Sequence, residues 1–315
     1  MDVVELLVSK LEHKPSPKEV ESFLQDASRK YCVFKIPKRT QGFRIIAQPS
    51  RELKIYQRTF LENFSLPVHS AVMSYRKGLS IKDNADAHRK QKYLLRMDLE
   101  NFFNSIKPDL FWDVWEKFGK LPSLNGDDKK SLNQLLFWCP SKRRGGKLVL
   151  SVGAPTSPMV SNFCLYHFDL ALSECCDSER VVYTRYADDL TFSTNSPDVL
   201  ERFPKLIQQM LKKEFGHQIQ VNRSKTVFSS KKHNRHVTGI TLANSGMLSI
   251  GRERKRYIKH LVHKFKMGEL VNAEDIAHLK GLLAFANHIE PEFCRALRRK
   301  YGQETIQKIK EAGHD

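Results

Sequence analysis

The stretch VVYTRYADDLTFS, running from Val181 to Ser193, most narrows what this chain can fold into. Runs rich in β-branched and aromatic residues flank the adjacent carboxylates Asp188 and Asp189, and two such runs around a short polar break read as a β-hairpin. Aspartate is common in turns, so the pair by itself says little. A second run changes that. KYLLRMDL is long enough for a buried strand and too short for a helix of its own, and it delivers Asp98 near its end. If that strand lies beside the hairpin, three carboxylates gather at one edge of one sheet. Such a cluster repels itself unless a divalent cation neutralises it, and hard oxygen ligands with open water positions suit Mg²⁺. Two such ions would lower the pKa of an attacking hydroxyl, stabilise charge at phosphorus and hold a leaving pyrophosphate.

The charge balance names the partner class. The 53 Lys and Arg outnumber the 35 Asp and Glu, a formal charge of +18 with a pI near 9.6, which attracts polyanions at physiological salt. The excess is uneven. Arg252, Arg254, Lys255, Arg256, Lys259, Lys264 and Lys266 crowd a segment whose Ile258, Leu261, Val262 and Phe265 recur at helical spacing. That predicts a helix with one apolar seat and a basic remainder able to follow a phosphate backbone. No apolar run reaches eighteen residues, and MDVVELLVSKLEHK is a charged amphipathic helix without signal-peptide features, so no membrane partner and a cytoplasmic location are expected. The six cysteines form no C-x-x-C pair and read as reduced, buried thiols. With 315 residues and 40% apolar content, the chain can bury a core in two or three folding units.

Along the chain, two helices separated by Pro15 and Pro17 precede two short strands around a Gln41-Gly42 turn, then a helix in RELKIYQRTFLENF. After Asp98 a helix opens at Pro108, with Leu110, Phe111, Val114, Trp115 and Phe118 as its buried stripe. The polar stretch NGDDKKSLNQLLFWCPSKRRGGK reads as an excursion around one short helix. GAPTSP opens another, with Ser157 as N-cap and Pro158 at its first position. PDVLERFPKLIQQMLKKEF is a helix interrupted near Pro204, QIQVNRSKTVFSS returns as strand, and basic helices follow Gly251.

MDLENFF, GAPTSP, YADD and NRSKT, in that order, resemble motifs A to D of reverse transcriptases, and FRIIAQPSRELKIYQR is similar to the fingers motifs of bacterial members. NADAH, Asn84 to His88, matches the N-A-x-x-H pattern of retron reverse transcriptases, and Val237-Thr238-Gly239 matches their V-T-G signature. The resemblance spans about residues 43–256. It implies an α+β, right-hand polymerase: N-terminal helices and fingers over 1–92, a ferredoxin-like palm with an antiparallel sheet over 93–242 in which 119–150 returns to the fingers, and a basic helical thumb over 243–315.

The resemblance also implies roles. Asp98, Asp188 and Asp189 would bind two Mg²⁺ ions, with the Leu99 carbonyl as a further ligand. Phe103 would exclude ribonucleotides by meeting the sugar 2′ position, Arg44 would hold the triphosphate, Gly153 and Ala154 would let template and nucleotide come close, and Lys225 would serve the pyrophosphate. Val152 stands where the family usually has glutamine, which puts the nucleotide geometry in question. Asn84, His88, Val237, Thr238 and Gly239, with Arg252, Arg254, Lys255, Arg256 and Lys259, would bind RNA. The implied activity copies a cognate structured noncoding RNA into single-stranded DNA from deoxynucleoside triphosphates, primed by an RNA 2′-hydroxyl to give a branched RNA–DNA product, in anti-phage defence with a separate effector or toxin. The alternatives are a reverse transcriptase of group II intron or diversity-generating type, and an RNA–DNA-binding scaffold that restrains a toxin.

Overall fold

The computed structural model describes residues 2–37 and 42–312; Gln41 of the expected hairpin turn lies outside them. In chain order the N-terminal elements are α1 (Val3–Lys10), α2 (Pro17–Leu24), β1 (Tyr31–Pro37), β2 (Phe43–Pro49), α3 (Arg51–Asn63) and α4 (Ile81–His88). Next come β3 (Tyr93–Leu99), α5 (Phe102–Ser105), α6 (Pro108–Phe118), α7 (Gly126–Leu136), α8 (Ser157–Cys164), α9 (Tyr166–Ser178), β4 (Val182–Tyr186), β5 (Asp189–Thr194) and α10 (Phe203–Phe215). The last are β6 (Val221–Ser230), β7 (Arg235–Val237), β8 (Ile240–Leu242), β9 (Leu248–Ser249), α11 (Arg252–Lys266), α12 (Ala273–Ile289), α13 (Pro291–Tyr301) and α14 (Gln303–Glu311). The fold is mixed α+β, as expected, with a four-stranded sheet in the order β4-β5-β3-β6. The Asp98 strand therefore does lie beside the hairpin strand β5. Among the described residues no helix is long and apolar enough to cross a membrane.

The chain divides into two compact units, Met1–Lys77 with Met97–Leu190 and Glu201–Thr226, and Gly78–Arg96 with Thr191–Leu200 and Val227–Asp315. In the first, Ser16 and Glu19 cap α2 reciprocally with Pro17 in its first turn, so the chain stops after α1 and restarts as predicted. Helices α1, α2, α3 and α7 pack together over buried Leu7, Leu24, Leu53 and Leu132. Helix α6 buries Leu110, Phe111, Val114 and Trp115, whose rings meet Phe137 and Phe163. Phe118 is only half-buried, and its ring meets Phe163 as well as Tyr166 and His167. The β1–β2 ribbon pairs antiparallel from Tyr31↔Pro49 to Pro37↔Phe43 and leaves Val33, Phe34, Ile36, Phe43 and Ile45 exposed.

Two expectations are corrected here. The N-cap of α8 is Thr156, whose backbone is already helical; Ser157 and Pro158 are the first two helical residues, and neither side chain caps the end. Of the cysteines, Cys139, Cys164, Cys176 and Cys294 are buried free thiols, but Cys32 is exposed because its strand has solvent on both faces.

The second unit holds a small sheet, β7-β8-β9, that strand patterning did not predict. Its strands are two or three residues long, too short to show a period. Thr238 and Gly239 join β7 to β8 with φ of +46° and +78°, the primed turn whose twist suits a two-residue hairpin. Val237, Ile240, Leu242 and Leu248 share one core with Ile258 and Val262 of α11, Leu279 and Leu283 of α12 and Leu297 of α13, and α4 adds Ala85.

Candidate active site

The first unit brings Asp98 and Asp188 near one another, with Asp189 next in the chain. Asp98 is the penultimate residue of β3 and is 8% exposed, while Asp188 lies in the β4–β5 turn and Asp189 opens β5. The amide of Leu99 donates to the Asp188 carbonyl at 2.9 Å, which ties the turn to the end of β3. Burial, and then the charge of Asp98, raise the Asp188 carboxyl above its ordinary range; Lys225 and Arg44 oppose that rise. From β6, Lys225 Nζ donates to both Asp98 oxygens, at 2.8 and 2.9 Å, although its own side chain remains 58% exposed.

These carboxylates fit a hard divalent cation. Asp98 lies near enough to raise the Asp188 carboxyl, and an ammonium has settled on Asp98, as expected where negative charge outweighs its neutralisation. As the side chains stand, no group of three His, Cys, Asp or Glu among the described residues closes on a single point, and Asp98 is paired with Lys225. A cation held by Asp98 would compete with that exposed lysine.

The residues assigned to the nucleotide differ in their surroundings, and of them Arg44 and Lys225 act on Asp188. Arg44 is exposed on β2, and Phe103 is half-buried, its ring edge-on to the buried Phe102 at 5.3 Å. Gly153 has φ +128°, and a Cβ there would sit 3.2 Å from both the Ala47 carbonyl oxygen and Ile46 Cγ2. Its neighbours explain the closeness: the Ala47 amide donates to the Val152 carbonyl at 3.2 Å, and the Ser151 hydroxyl donates to the Ala47 carbonyl. The small residue is needed for β2 to pass, and Val152 uses only its backbone in that contact. Ala154 is buried. Leu99, the expected carbonyl ligand, is 1% exposed.

Tyr75 escaped the sequence reading. It is 57% exposed in a left-handed conformation, φ +57°, an uncommon choice for an aromatic residue. Partial burial and the nearby Asp188 raise its hydroxyl pKa, so it stays neutral near that carboxylate. Only its backbone marks it out, which no residue pattern reveals.

In the second unit the N-A-x-x-H helix meets the V-T-G hairpin. Helix α4 packs on β7 and β8, and Thr238 Oγ1 donates to the Ile81 carbonyl at 3.1 Å. Asn84, His88 and Val237 are fully buried, whereas Thr238 and Gly239 reach the surface. Burial pushes the His88 pKa down to about 3, so the ring is neutral, with Nδ1 2.7 Å from Ser193 Oγ. Along α11, Arg252, Arg256 and Lys259 are exposed. Arg254 instead lies over the Phe285 ring at 4.9 Å, and Lys255 pairs with Glu290 at 2.5 Å, which in turn accepts from Ser249 Oγ and the Ile250 amide. Those two cations hold the bundle together as well as carrying charge.

A reverse transcriptase (RNA-dependent DNA polymerase) profile matches residues 36–242. The chain is 49% identical to the Retron Ec83 reverse transcriptase of Escherichia coli over 89% of each chain. It is 33% identical to the Retron Ec73 reverse transcriptase of the same species, covering 85% of this chain and 86% of that one. Against the Retron Mx65 reverse transcriptase of Myxococcus xanthus it is 32% identical over 86% of its length and 64% of the relative's. Motifs A to D and both retron signatures fall within the aligned core, and the chain belongs to the retron reverse transcriptases, a family of RNA-directed DNA polymerases.

Proposed function

We propose that this enzyme copies part of its own structured noncoding RNA into single-stranded DNA, starting from the 2′-hydroxyl of a guanosine in that RNA, and that Asp98, Asp188 and Asp189 form its metal site. The observation that carries the site is the Leu99–Asp188 backbone bond, which sets Asp188 at the strand end beside Asp98, whose charge helps raise the Asp188 carboxyl. The 49% identity to a retron enzyme supports the branched product. Polymerisation in this family depends on divalent metal; Asp98, Asp188 and Asp189 with the Leu99 carbonyl would hold two Mg²⁺ ions, which would supply charge stabilisation at phosphorus and activation of the attacking hydroxyl.

The chain's own groups do the rest. Arg44 and Lys225 carry positive charge toward the triphosphate, Lys225 releasing Asp98 and staying close enough to meet the pyrophosphate. Phe103 bounds the sugar pocket, and Gly153 and Ala154 hold the floor beside β2. Residues 1–92 act as fingers, 93–242 as palm with 119–150 returning to the fingers, and 243–315 as thumb. The enzyme works in the cytoplasm with a separate effector protein in defence against phage.

The product tests this reading. Nucleic acid copurifying with the protein should contain DNA joined to RNA, and an enzyme that cuts 2′,5′-phosphodiester bonds should separate the two. Recovery of DNA with no RNA attached before that treatment would overturn the priming assignment.

Burial recasts the RNA-reading residues. Asn84, His88 and Val237 shape the Thr238–Gly239 hairpin from beneath, and the exposed turn makes the contact, while Arg252, Arg256 and Lys259 hold phosphates. Reversing Arg252 and Arg256 to Glu should weaken cognate and scrambled RNA alike and flatten the salt dependence of log K by roughly 0.7–0.9 per lost phosphate contact. Arg254 and Lys255 are unsuitable for this test, since a glutamate at 255 would face Glu290. A salt slope unchanged in the folded double variant would remove α11 from the RNA interface.

A further inference from the structure

We propose that Arg185, Asn162, Ser74 and Asp169 are positioning residues that set the direction of the catalytic turn, a reading that rests on the carboxylate site above. Arg185 has no exposed surface, and neither does Asp169. Its Nε donates to Asp169 Oδ1 at 2.9 Å and Oδ2 at 3.1 Å, and its Nη2 to Oδ2 at 2.6 Å. Tyr183 adds a hydroxyl donor to the same carboxylate at 2.8 Å. The remaining nitrogen leaves this pair. Nη1 donates to Asn162 Oδ1 at 3.2 Å and to the carbonyl of Ala187 at 3.1 Å, the residue immediately before Asp188.

Ala187 carries the strain. Its φ is +56°, a left-handed conformation that non-glycine residues adopt at a cost. Both its backbone polar groups are held: the carbonyl by Arg185, the amide by Ser74 Oγ at 2.8 Å. Asn162 Nδ2 donates in turn to the Ser74 carbonyl at 3.2 Å, which closes a ring through Arg185, Asn162, Ser74 and Ala187. The Arg185 backbone is also pinned, its amide to the Ala71 carbonyl at 2.9 Å and its carbonyl to the Met73 amide at 2.8 Å.

A buried ion pair is weak evidence for stability, because well-packed apolar residues of similar volume often serve as well. What apolar residues cannot do is hold a strained peptide by both ends. The ring does so one residue before Asp188, whose carbonyl must accept from Leu99 for its carboxylate to sit beside that of Asp98. Asn162 lies on α8 and Asp169 on α9, the helices that follow GAPTSP, so the nucleotide floor and the carboxylate turn share one anchor.

Two variants separate positioning from stability. Ser74→Ala removes one hydroxyl and should fold normally, and the triple variant Arg185→Met, Asp169→Leu, Tyr183→Phe replaces the ionic cluster with apolar volume. Mn²⁺ binding followed by electron paramagnetic resonance without nucleotide, and extension kinetics against dNTP, are measured on both and on Asp188→Asn. The expected result is Mn²⁺ affinity and kcat each reduced at least tenfold in Ser74→Ala, with KM for dNTP within about twofold of the parent. The triple variant, if it melts near the parent temperature, should show the same losses; if it does not fold, Ser74→Ala decides. Parent-like Mn²⁺ affinity and kcat in folded Ser74→Ala would overturn the proposal. Parent-like Mn²⁺ binding by Asp188→Asn would instead overturn the carboxylate assignment, so the two failures are distinct.

Discussion

Asp188→Asn is expected to lower DNA extension by on the order of 10³-fold while the protein stays folded and, without metal, becomes more resistant to heat. The amide keeps the shape of the carboxylate but offers the metal no negative charge. The stability gain follows from the pKa. Burial and Asp98 raise the Asp188 carboxyl, so the folded chain holds that proton more tightly than the unfolded chain does. The resulting stability is fully present below the unfolded pKa, near 3.8, and is lost as pH rises through the raised folded value. At pH 7 the ionised group therefore costs the fold stability, and Asn removes the cost. Thermal melts should show the metal-free variant above the parent at pH 7 and level with it below pH ~3.8. Adding Mg²⁺ should stabilise the parent more than the variant, since only the parent keeps the full ligand charge. Extension at the parental rate would sink the catalytic assignment, and a lower metal-free melting temperature at pH 7 would sink the electrostatic one.

Phe103→Ala is expected to raise ribonucleotide use relative to deoxyribonucleotide use by roughly 10- to 200-fold, the range that steric contacts of one small group can discriminate. The ring is half-buried with one edge on Phe102, so truncation opens space on its free side and leaves Phe102 in the core. The comparison is kcat/KM for each sugar on one primer and template. An unchanged ratio in a folded variant would make Phe103 a packing residue.

The carboxylates were legible because each breaks a pattern: Asp98 interrupts an apolar run at its end, and Asp188 and Asp189 interrupt two β-rich runs. The polar groups that hold Ala187, just before Asp188, were not. Ser74, Asn162 and Asp169 are small polar residues on a loop and two helices, ordinary in local context, and only the fold brings them to Arg185. One signal existed, since Arg185 falls on the same strand face as the buried Tyr183, where alternation asks for an apolar residue. The Asn84–His88 pairing on one helix face was legible from spacing; their burial was not, because a polar residue turned inward looks like one turned outward. The small sheet was hidden by the shortness of its strands, and the exposed Tyr75 by having only a backbone signature.

The division of the chain into two units, each drawn from three separate segments, has a consequence during synthesis. The carboxylate unit is not complete until Thr226 has left the ribosome, and the other unit takes its first segment from Gly78–Arg96 and its last from Val227 onward. At 5–20 residues per second, residues from Asp98 to Lys225 take roughly 6–25 s to emerge. Through most of that interval β3 lacks β5, and until its end it lacks β6, its two neighbours in the finished sheet, so its buried Leu94, Leu95 and Met97 wait for their cover. A translational pause inside 100–220 should therefore yield more aggregated nascent chain than one placed after 230, and no simple terminal deletion will isolate either unit intact.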